Sequence, residues 1–502
     1  MSYTASQLHK EANLKELLLS GANVKITALT ADSRKVKPGT LFAALPGSEI
    51  NGVEFIPQAL KNGASAILFG DSNYKDLPTN FAKFYHPEPR LALAYLAKAF
   101  YNHPGDKLDV IAITGTNGKT TVAAMLESIF AAADKKIGVI GTTGIRWPNH
   151  NQENPLTTPD PVMLQATLAQ MLEAGCSVVA LEASSHALVQ HRVAGVNVKV
   201  AIFTNLSRDH LDYHGSTDNY FNAKATLFLK NQPTFAVINL DDTYGLKLYK
   251  LINQTRQKLG FSLDNKQNND TPHIKAHDIK LTPQQSRFNL LTAKGSQPIT
   301  LPTIGRFNVA NAMAAAGGGL MLGVDKKTIA KGLANFNTQP GRMKSINCKQ
   351  PFGVIIDFAH TPDALQNLLQ TAREFTNKGK IITVFGCGGD RDKGKRPLMG
   401  KIAGKLSDET ILTDDNPRSE DPKTILNEIY QGYKEVCSNK NVSIINYRTK
   451  AINHALKIAK PGDTVLIAGK GHENYQITAS GKQPFDDHKT AIEGLVKLGY
   501  SG

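Results

Sequence analysis

A short glycine-rich loop between an apolar run and a helical segment constrains the fold of this chain more than any other feature. The apolar run Asp109 to Thr114 predicts a buried strand, the loop Gly115 to Gly118 follows it, and Thr120 to Ala133 has the period of a helix. A second apolar run, Lys136 to Gly141, predicts the next strand. These segments form one βαβ unit, which places the loop at the carboxyl edge of a parallel sheet.

Strand and helix signals continue to alternate beyond this unit. They extend a single sheet, after which polar alternating segments predict antiparallel strands and a glycine-rich segment predicts a helix. The predicted strands lie at Ser177 to Leu181, Val198 to Thr204, Phe235 to Leu240, His273 to Leu281 and Ser286 to Thr292, and the predicted helices at Pro161 to Ala174, Ser216 to Lys230 and Phe307 to Leu322. After a turn signal at Gln339-Pro340-Gly341, the rhythm restarts with strands at Val354 to Phe358, Lys380 to Phe385, Thr410 to Thr413 and Thr464 to Ala468.

The sequence therefore predicts an α/β protein of three domains, as its length of 502 residues also suggests. Residues 1–107 are less periodic, with a helix from Arg90 to Asn102, and predict a mixed α/β N-terminal domain. Residues 108–338 predict a central P-loop-type α/β domain with a mostly parallel sheet. Residues 339–502 predict a C-terminal Rossmann-like α/β domain.

Composition indicates a globular protein of the cytoplasm. Hydrophobic residues make up 41% and charged residues 20%, and there is no apolar run long enough for a membrane span. The segment Met1 to Lys15 lacks the features of a signal peptide. The four cysteines do not have metal-ligand or redox-motif spacing, so we expect reduced thiols at Cys176, Cys348, Cys387 and Cys437.

The formal net charge of +15 predicts attraction to a polyanion, whether nucleic acid, membrane surface or phosphorylated small molecule. Charge alone does not choose among these. Basic clusters such as Lys393 to Arg396 lie beside glycines and not among aromatic residues, which disfavours a dedicated nucleic-acid groove.

The loop has the chemistry of a polyphosphate site. Backbone N–H groups and a helix N-terminus can bind phosphate oxygens, Lys119 supplies a positive charge, and the Thr120 hydroxyl can join a Mg²⁺ shell. The standard P-loop has four residues between its first glycine and the Gly-Lys pair, whereas this loop has two, so it is a shortened variant. A structural glycine turn before a helix is the alternative. The residues assigned to ATP here are Gly115, Thr116, Asn117, Gly118, Lys119, Thr120 and Thr121.

The loop TGTNGKTT resembles the ATP signature of the Mur ligases, a superfamily that also includes folylpolyglutamate synthases and cyanophycin synthetases. Three other segments narrow the resemblance, which extends essentially from end to end: Asn154 to Pro159, Leu181 to His186 and Thr204 to His214. They resemble the branch that adds the third peptide residue in peptidoglycan precursor synthesis. Ala183 departs from this pattern, since the family more often has valine there. The resemblance implies an ATP-dependent amide ligase with an acyl-phosphate intermediate, an N-terminal UDP-binding domain, a central ATP-binding domain and a C-terminal amino-acid-binding domain.

Glu182 and His210 each follow a predicted strand at the loop's edge of the sheet, and with Thr120 they offer a Mg²⁺ shell. A structural histidine is the alternative for His210. Lys224 would repel bound Mg²⁺, and from the residues alone it is a solvated helix lysine. The resemblance implies instead that CO₂ carbamylates it, giving an anionic N6-carboxylysine that binds metal. We therefore expect Lys119, Glu182, His210 and Lys224 to be catalytic, and Thr120, Glu182, His210 and carbamylated Lys224 to hold Mg²⁺.

The resemblance also assigns the remaining nucleotide contacts. Asn308 matches the adenine segment, and Arg342 lies where a phosphate would recruit it on domain closure, although pairing with a carboxylate is an alternative. Asp357 and His360 match a nucleotide-proximal motif, in which Asp363 is explained equally well as a helix cap.

A further set matches the pocket for UDP-N-acetylmuramoyl-L-alanyl-D-glutamate. Ser33 is the candidate for the uridine diphosphate, and hydroxyl, amide and guanidinium groups are expected to bind the phosphorylated peptide substrate. These are Thr157, Thr158, Ser184, Gln190 and Arg192.

The added amino acid is assigned from the segment Asp415-Asn416-Pro417-Arg418, which resembles the family motif for meso-2,6-diaminopimelate. Arg418 can bind the distal carboxylate with two parallel hydrogen bonds, and lysine has no such carboxylate. Arg391, Gly469 and Glu473 match the rest of that pocket, with Glu473 neutralising the substrate ammonium. For Asn416 to Arg418 alone, a turn before the helix near Pro422 is the alternative.

The competing functions are a lysine-adding ligase or a folylpolyglutamate synthase within the family, and a P-loop kinase, a motor ATPase or a nucleic-acid binder outside it. Neither the kinases and ATPases nor the nucleic-acid binders explain the segment Asp209 to His214. We expect a monomer whose partners are small molecules, namely ATP, meso-diaminopimelate and the UDP-linked dipeptide, with Mg²⁺ as cofactor and CO₂ for carbamylation. Nucleic-acid partners and a membrane span are not expected.

Overall fold

The structure is a computed structural model that describes residues 1–47, 50–71, 80–207, 209–253, 257–263, 273–282, 284–337, 343–376, 378–437, 442–471 and 473–501. Its contacts divide the chain into two compact units, Met1–Lys275 with Ala310–Gly332, and Ala276–Val309 with Leu333–Gly502. Within the described ranges, every helix is too short or too polar to cross a membrane.

The N-terminal part of the first unit is a five-stranded sheet with helices on both faces. Its elements are β1 (Tyr3–Thr4), α1 (Ala5–Ala12), β2 (Leu18–Gly21), β3 (Lys25–Ile26), β4 (Ala28–Thr30), β5 (Thr40–Ala43), α2 (Ile56–Lys61), β6 (Ala64–Phe69), β7 (Ala82–Tyr85) and α3 (Pro89–Phe100). The sheet order is β2-β7-β6-β5-β4, parallel except for β2. Along β5, Leu41 and Ala43 pack in the core with α1 and α3, whereas Phe42 packs in the core with α2, as the two-residue period of a strand requires.

The central part continues the first unit and carries the predicted βα rhythm. Its elements are β8 (Asp109–Thr114), α4 (Lys119–Ala132), β9 (Ile137–Gly141), β10 (Gly144–Trp147), β11 (His150–Gln152), α5 (Pro161–Glu173), β12 (Val178–Glu182), α6 (Ser185–Val189), β13 (Val198–Phe203), α7 (Leu211–His214), α8 (Thr217–Leu229), β14 (Phe235–Asn239), α9 (Thr243–Leu251), β15 (Gln257–Ser262) and β16 (His273–Leu281). Apolar side chains on both faces of β8 are buried, which explains why its sequence is continuously apolar and not alternating.

The central strands lie side by side in the order β11-β10-β9-β12-β8-β13-β14-β15-β16. The strands β9, β12, β8, β13, β14, β15 and β16 are parallel to one another. The other two, β10 and β11, form an antiparallel ribbon at one edge. The carboxyl ends of β12, β8 and β13 are therefore neighbours. The phosphate loop follows β8, Glu182 ends β12, and the segment leading to His210 follows β13, so one edge of the sheet presents all three.

The next segment corrects one expectation. Polar alternation predicted antiparallel strands at His273 to Leu281 and Ser286 to Thr292, but β16 pairs in parallel with β15. Alternation reports that a strand has one solvated face and does not report its direction. The later strands β17 (Ser286–Thr292) and β18 (Gly295–Leu301) are antiparallel as predicted, and helices α10 (Arg306–Met321) and α11 (Lys326–Ala334) follow.

The C-terminal part of the second unit is a six-stranded sheet. Its elements are β19 (Lys344–Ser345), β20 (Gly353–Asp357), α12 (Pro362–Phe375), β21 (Ile381–Phe385), α13 (Lys395–Leu406), β22 (Glu409–Leu412), α14 (Pro422–Lys434), β23 (Val442–Ile444), α15 (Arg448–Ile458), β24 (Thr464–Ala468), β25 (Tyr475–Thr478), β26 (Gly481–Pro484) and α16 (Asp487–Lys497). The order is β19-β20-β24-β21-β22-β23, parallel except for β19, with an apolar cluster on each face. The loops after β20, β24, β21 and β22 share one edge of this sheet.

The predicted α/β class is confirmed, and most predicted element ends lie within about one residue of the observed ones. Among the elements that were not predicted are the ribbon β10–β11, strand β23 and the hairpin β25–β26. The predicted domain boundaries at 107/108 and 338/339 remain predictions, and the second lies outside the described residues. The compact units group the N-terminal and central parts together.

Candidate active site

The phosphate loop joins β8 to α4 in a conformation that requires its glycines. Gly115 and Gly118 have φ of 148° and 90°, a region that favours glycine. A β-carbon on Gly115 would collide with Thr204, and one on Gly118 would collide with Asn311. Because Gly118 is the N-cap of α4, the first turn of this helix presents N–H groups that can donate to phosphate oxygens.

Residues after β13 hold the rest of the loop. The N–H of Thr116 donates to the Asn205 carbonyl, and the N–H of Asn117 donates to Asn205 Oδ1, both over 2.9 Å. The hydroxyl of Thr116 lies 3.2 Å from that of Tyr220 on α8. Thr121 is half-buried in the first turn of α4. The loop is thus fixed by the neighbouring strand, which fits a preformed anion site.

Lys119 folds back onto this loop. Its Nζ donates to the carbonyls of Gly115 (2.8 Å) and Thr116 (2.9 Å). Burial lowers the pKa of Lys119, while the carboxylates of Glu182 and Asp209 act in the opposite direction. The lysine charge therefore lies beside the loop, where phosphate oxygens would replace the carbonyls as its partners.

Glu182 is a buried carboxylate at the end of β12, with 1% of its surface exposed. Its Oε2 accepts from the hydroxyls of Thr120 (3.0 Å) and Thr142 (3.1 Å), and its Oε1 accepts from the N–H of Thr142 (3.1 Å). Burial nevertheless raises the pKa of Glu182, because these bonds and the Lys119 charge do not fully offset the lost hydration. A bound cation beside Glu182 would favour its ionised form.

Lys224 is not the solvated helix lysine that its sequence context suggested, since only 1% of it is exposed. Its Nζ donates to the Gly115 carbonyl over 2.9 Å and lies 4.3 Å from the centre of the Tyr220 ring. Burial, with a contribution from the nearby Lys119 charge, lowers the pKa of Lys224 to about 6. The amine is therefore largely neutral and nucleophilic at pH 7.

His210 lies on the same side of the loop but is about half exposed. Its backbone has a φ of 50°, which is uncommon for residues other than glycine. Its Nε2 lies 3.5 Å from Asp209 Oδ2, and its ring contacts those of His186 and Tyr220. The structure thus joins Glu182 to Thr120 by a hydrogen bond, whereas the partner of His210 is Asp209.

These residues fit a magnesium ion in the kind of donor atom they supply. Mg²⁺ prefers oxygen ligands and keeps several from phosphates and water. The hydroxyls of Thr120 and Thr142 meet at the Glu182 carboxylate. Among the residues that the structure describes, no three His, Cys, Asp or Glu side chains come close enough to hold a metal. Thr120, Thr142 and Glu182 thus supply oxygen donors of the kind that Mg²⁺ prefers.

The residues expected to bind the UDP-linked dipeptide form one network, except Ser33. Thr158 donates to the Glu182 carbonyl (2.7 Å) and lies 3.3 Å from Ser184 Oγ. Arg192 donates to the Thr158 carbonyl (2.8 Å) and to Gln190 Oε1 (2.7 Å). This network is connected to Glu182 through the hydrogen bond from Thr158. A substrate carboxylate bound by these residues would lie near the phosphate loop.

The two remaining residues of that set differ in their surroundings. Thr157 Oγ1 lies 3.1 Å from Thr142 Oγ1, which connects it to Glu182. Ser33 is buried in the N-terminal sheet region, where it donates to Gln58 Oε1 (2.9 Å). The structure therefore does not bring Ser33 into the network around Glu182.

The described residues of the second unit that are expected to bind the nucleotide form hydrogen bonds with residues of their own unit. The Asn308 amide donates to the hydroxyl of Thr303 and to the carbonyl of Ile304, and Asp357 accepts from the N–H of Met343. His360 Nδ1 lies 2.8 Å from the Phe358 carbonyl. Arg342 lies outside the described residues. The proposed cap at Asp363 is wrong, because Thr361 is the N-cap and accepts from the N–H of Ala364.

The candidate amino-acid site is built from loops after β21, β22 and β24. Arg418 has a φ of 53° and donates to the Gly389 carbonyl over 2.7 Å, so the loops after β21 and β22 meet at its guanidinium. Arg391 is exposed in the first of these loops, and its guanidinium donates to the carbonyl of Asp390 over 3.3 Å. Pro417 is buried between Asn416 and Arg418. One arginine is thus fixed and the other extends toward solvent.

Asn416 and Glu473 come together as predicted for one pocket. Asn416 Nδ2 donates to Glu473 Oε2 over 3.0 Å, and Asp415 is buried next to them. Gly469 has a φ of 116°, and a β-carbon there would lie 3.2 Å from Asp415 Oδ2. Lys470, which the sequence did not single out, lies at the centre of this group.

Several contributing residues were not predicted. Thr142 gave no signal beyond its place after a strand, but Tyr220 precedes Lys224 by four residues on one helix face. Lys470 follows a glycine in the turn after a strand, as Lys119 follows Gly118 in the phosphate loop. Asp390, in the loop after β21, and buried Arg396, in α13, share Glu420 as an acceptor, which no local pattern predicts.

Family models match three parts of the chain: the Mur ligase family catalytic domain at residues 25–101, the Mur ligase middle domain at 113–318, and the Mur ligase glutamate ligase domain at 341–471. The protein belongs to the Mur ligase family. Its three-domain α/β organisation is that of the family.

Within the family, the chain is similar to UDP-N-acetylmuramoyl-L-alanyl-D-glutamate--2,6-diaminopimelate ligases. The one from Gloeobacter violaceus is 43% identical over 477 residues, which is 95% of both chains. The one from Geobacillus thermodenitrificans is 42% identical over 478 residues, covering 94% of this chain and 95% of its own. A solved structure of such a ligase has a TM-score of 0.80 and 32% identity, with all of both chains covered.

Proposed function

We propose that this protein is an ATP-dependent ligase that joins meso-2,6-diaminopimelate to UDP-N-acetylmuramoyl-L-alanyl-D-glutamate, releasing ADP and phosphate, in peptidoglycan precursor synthesis. The activity named for relatives that are 42% and 43% identical supports this substrate pair and does not favour lysine. The structural observation that carries the proposal is the pair of hydrogen bonds accepted by buried Glu182. Its carboxylate accepts from Thr120 beside the phosphate loop, and its backbone carbonyl accepts from Thr158. One residue thus connects the nucleotide loop to the network proposed for the donor substrate.

The phosphate loop binds the ATP triphosphate in this proposal. The N–H groups at the start of α4 donate to phosphate oxygens, and Lys119 exchanges the Gly115 and Thr116 carbonyls for them. Asn308 is proposed to bind the adenine. Asp357, His360 and Arg342 are proposed as further contacts of the nucleotide. Position and electrostatics account for most of the catalysis of phosphoryl transfer.

Thr120, Glu182, His210 and carbamylated Lys224 are proposed to hold Mg²⁺. When bound, Mg²⁺ neutralises charge between the phosphates and the substrate carboxylate. Burial raises the pKa of the Glu182 carboxyl. A bound cation would favour its ionised form, which supports a metal site here.

Lys224 is proposed to react with CO₂. The lone pair of neutral Nζ forms an N–C bond, one C=O pair moves to oxygen, and a proton leaves to solvent, giving a carbamate with one negative charge. A pKa of about 6 leaves the amine in its reactive form at neutral pH. Carbamylation therefore converts a largely neutral amine, which would repel Mg²⁺ once protonated, into an anionic oxygen ligand.

The reaction then has two steps. The D-glutamyl carboxylate attacks the γ-phosphorus, the bond to the β,γ-bridging oxygen breaks, and ADP leaves with that electron pair. The free amine of the amino acid attacks the resulting acyl phosphate, phosphate leaves with the C–O pair, and the amine proton is lost. Thr157, Thr158, Ser184, Gln190 and Arg192 orient the donor peptide, and Ser33 binds the uridine diphosphate.

The second substrate is bound at the edge of the C-terminal sheet. Arg418 and Arg391 are proposed to bind the distal carboxylate of diaminopimelate, and Glu473 its distal ammonium. Asp415, Asn416, Pro417 and Gly469 shape the pocket around them. We also propose that the protein acts in the cytoplasm, as a monomer.

The test of this function is phosphate release with ATP, Mg²⁺ and the UDP-linked dipeptide, measured with each amino acid in turn. We expect release to require meso-diaminopimelate, with mass spectrometry showing the UDP-linked tripeptide. Release without any amino acid, or no release with diaminopimelate, would contradict the proposal.

A further inference from the structure

Lys470 is a fully buried lysine in the turn that follows β24. The glycines on either side, Gly469 and Gly471, have φ of 116° and 57°, and these left-handed conformations fold the chain sharply around it. The turn therefore directs the lysine into the protein, whereas an exposed lysine would be the ordinary outcome in a loop.

The ammonium of Lys470 has one acceptor for each of its three protons. Nζ lies 2.9 Å from Asn416 Oδ1, 3.2 Å from Glu473 Oε2 and 3.4 Å from Asp415 Oδ1. A buried charge persists only where such partners satisfy it. All three acceptors belong to the candidate amino-acid site.

These bonds fix the orientation of the two groups that would meet the substrate. Asn416 Oδ1 accepts from both Lys470 and the N–H of Ile477, so its amide nitrogen must face Glu473. Glu473 Oε2 then accepts hydrogen bonds from both Asn416 Nδ2 and Lys470 Nζ. Among the described residues, Glu473 Oε1 accepts no hydrogen bond, which leaves this oxygen for a ligand.

The charge balance points the same way. Asp415 and Glu473 carry two negative charges against the single positive charge of Lys470. The nearby Arg448 and Asp487 form a buried pair of their own, with bonds of 2.7 Å. Within the group of Lys470, Asp415 and Glu473, one negative charge thus remains, which one substrate ammonium would neutralise.

We propose that Lys470 is a positioning residue that orients Glu473 and Asn416 for the ammonium group of the incoming amino acid. This inference rests on the proposed function, because it assigns the amino-acid substrate to this pocket. It predicts that Lys470 affects binding of the amino acid and leaves binding of ATP and the UDP-linked dipeptide unchanged.

The test compares steady-state constants for wild type, Lys470→Met and Lys470→Arg. Lys482→Met is the matched control, since Lys482 is exposed and lies over the same Tyr475 ring, 3.7 Å from its centre. We expect Lys470→Met to raise the KM for the amino acid roughly 10- to 100-fold, the size of a charged hydrogen bond, with the other two KM values unchanged. Lys470→Arg should restore part of the loss, and Lys482→Met should resemble wild type.

A double-mutant cycle with Glu473→Gln shows whether Lys470 acts through Glu473. We expect Lys470→Met to add little to Glu473→Gln. Additive effects, an equal rise in all three KM values, or loss of folded protein in both Lys470 variants by circular dichroism would overturn the proposal. If wild type released no phosphate with any amino acid, the proposed function would fail. Calorimetric titration with meso-diaminopimelate would then decide on Lys470 by itself, and equal binding to wild type and Lys470→Met would reject it.

Discussion

Thr120 Oγ1 donates a hydrogen bond to Glu182 Oε2 over 3.0 Å, which joins the first turn of helix α4 to the end of strand β12. The Glu182 carbonyl accepts from Thr158, so the same residue also connects to the network around Arg192. In a ligase the two substrates must react in one place. Glu182 therefore fixes the position of the phosphate loop relative to the proposed donor site.

Glu182→Gln keeps the size of the side chain and removes its charge. Because a buried carboxylate beside the loop would attract Mg²⁺, we expect kcat to fall by roughly 100-fold or more, with the KM for diaminopimelate unchanged. Raising the Mg²⁺ concentration should recover part of the loss. Glu173→Gln, at an exposed helix end, is the control, and a kcat for Glu182→Gln equal to that of this control would exclude the assigned role.

Lys224 gives a prediction about CO₂. Wild-type protein kept in CO₂-free buffer should lose activity and recover it when bicarbonate is added, because the neutral amine, with a pKa of about 6, is then carbamylated again. Lys224→Ala should be inactive under both conditions, whereas the exposed Lys250→Ala should behave as wild type. Activity is measured as phosphate release. A wild type indifferent to CO₂ would show that carbamylation is not needed.

The pair of Arg396 and Glu420 gives a prediction about pH and stability. Arg396 is fully buried, and its hydrogen bonds lower the pKa of Glu420 to about 2. Since glutamate in an unfolded chain titrates near about pH 4.3, the pair stabilises the fold above that pH. Its contribution is lost as the pH falls toward 2.

Glu420→Gln should therefore melt at a lower temperature than wild type at pH 7, and the difference should shrink below about pH 4.3. Thermal unfolding followed by circular dichroism from pH 7 to 2 measures this, with the exposed Glu493→Gln as control. A difference in melting temperature that stays constant across this range would mean that the charge of Glu420 does not stabilise the fold.

Arg418 gives a prediction about specificity. Arg418→Ala should raise the KM for meso-diaminopimelate roughly 10- to 100-fold, because a charged hydrogen-bond pair with the distal carboxylate is lost. The weak use of L-lysine, which has no such carboxylate, should change little. Both are read from phosphate release at saturating ATP. An equal loss for the two amino acids would point to a general role of Arg418 in the fold of this loop.

The sequence predicted the sheets well because both faces of their strands are covered. Continuous apolar runs such as Asp109–Thr114 are unambiguous when glycine follows and a helical period begins. The same logic placed Glu182 at the loop's edge, since both follow parallel strands. By contrast, the ribbon β10–β11 and the parallel direction of β16 depend on pairing between segments, which no single segment encodes.

Buried lysines were the least predictable part of the site. Lys224 lies on a helix face beside the buried side chains of Phe221 and Leu227. A lysine by itself still predicts exposure, and the acceptor of its buried amine, the Gly115 carbonyl, comes from a distant segment. Lys470 is likewise explained by acceptors at Asp415, Asn416 and Glu473. A charged side chain is buried only when the fold supplies its partners, and those partners come from distant segments.

The central claim is tested most directly by the choice of amino acid. Purified protein is incubated with ATP, Mg²⁺, bicarbonate and UDP-N-acetylmuramoyl-L-alanyl-D-glutamate, and phosphate release is compared with meso-diaminopimelate and with L-lysine. We predict that kcat/KM for meso-diaminopimelate exceeds that for lysine by at least about 100-fold, since lysine has no distal carboxylate for Arg418 and Arg391 to bind. Equal kcat/KM values for the two amino acids would contradict the account.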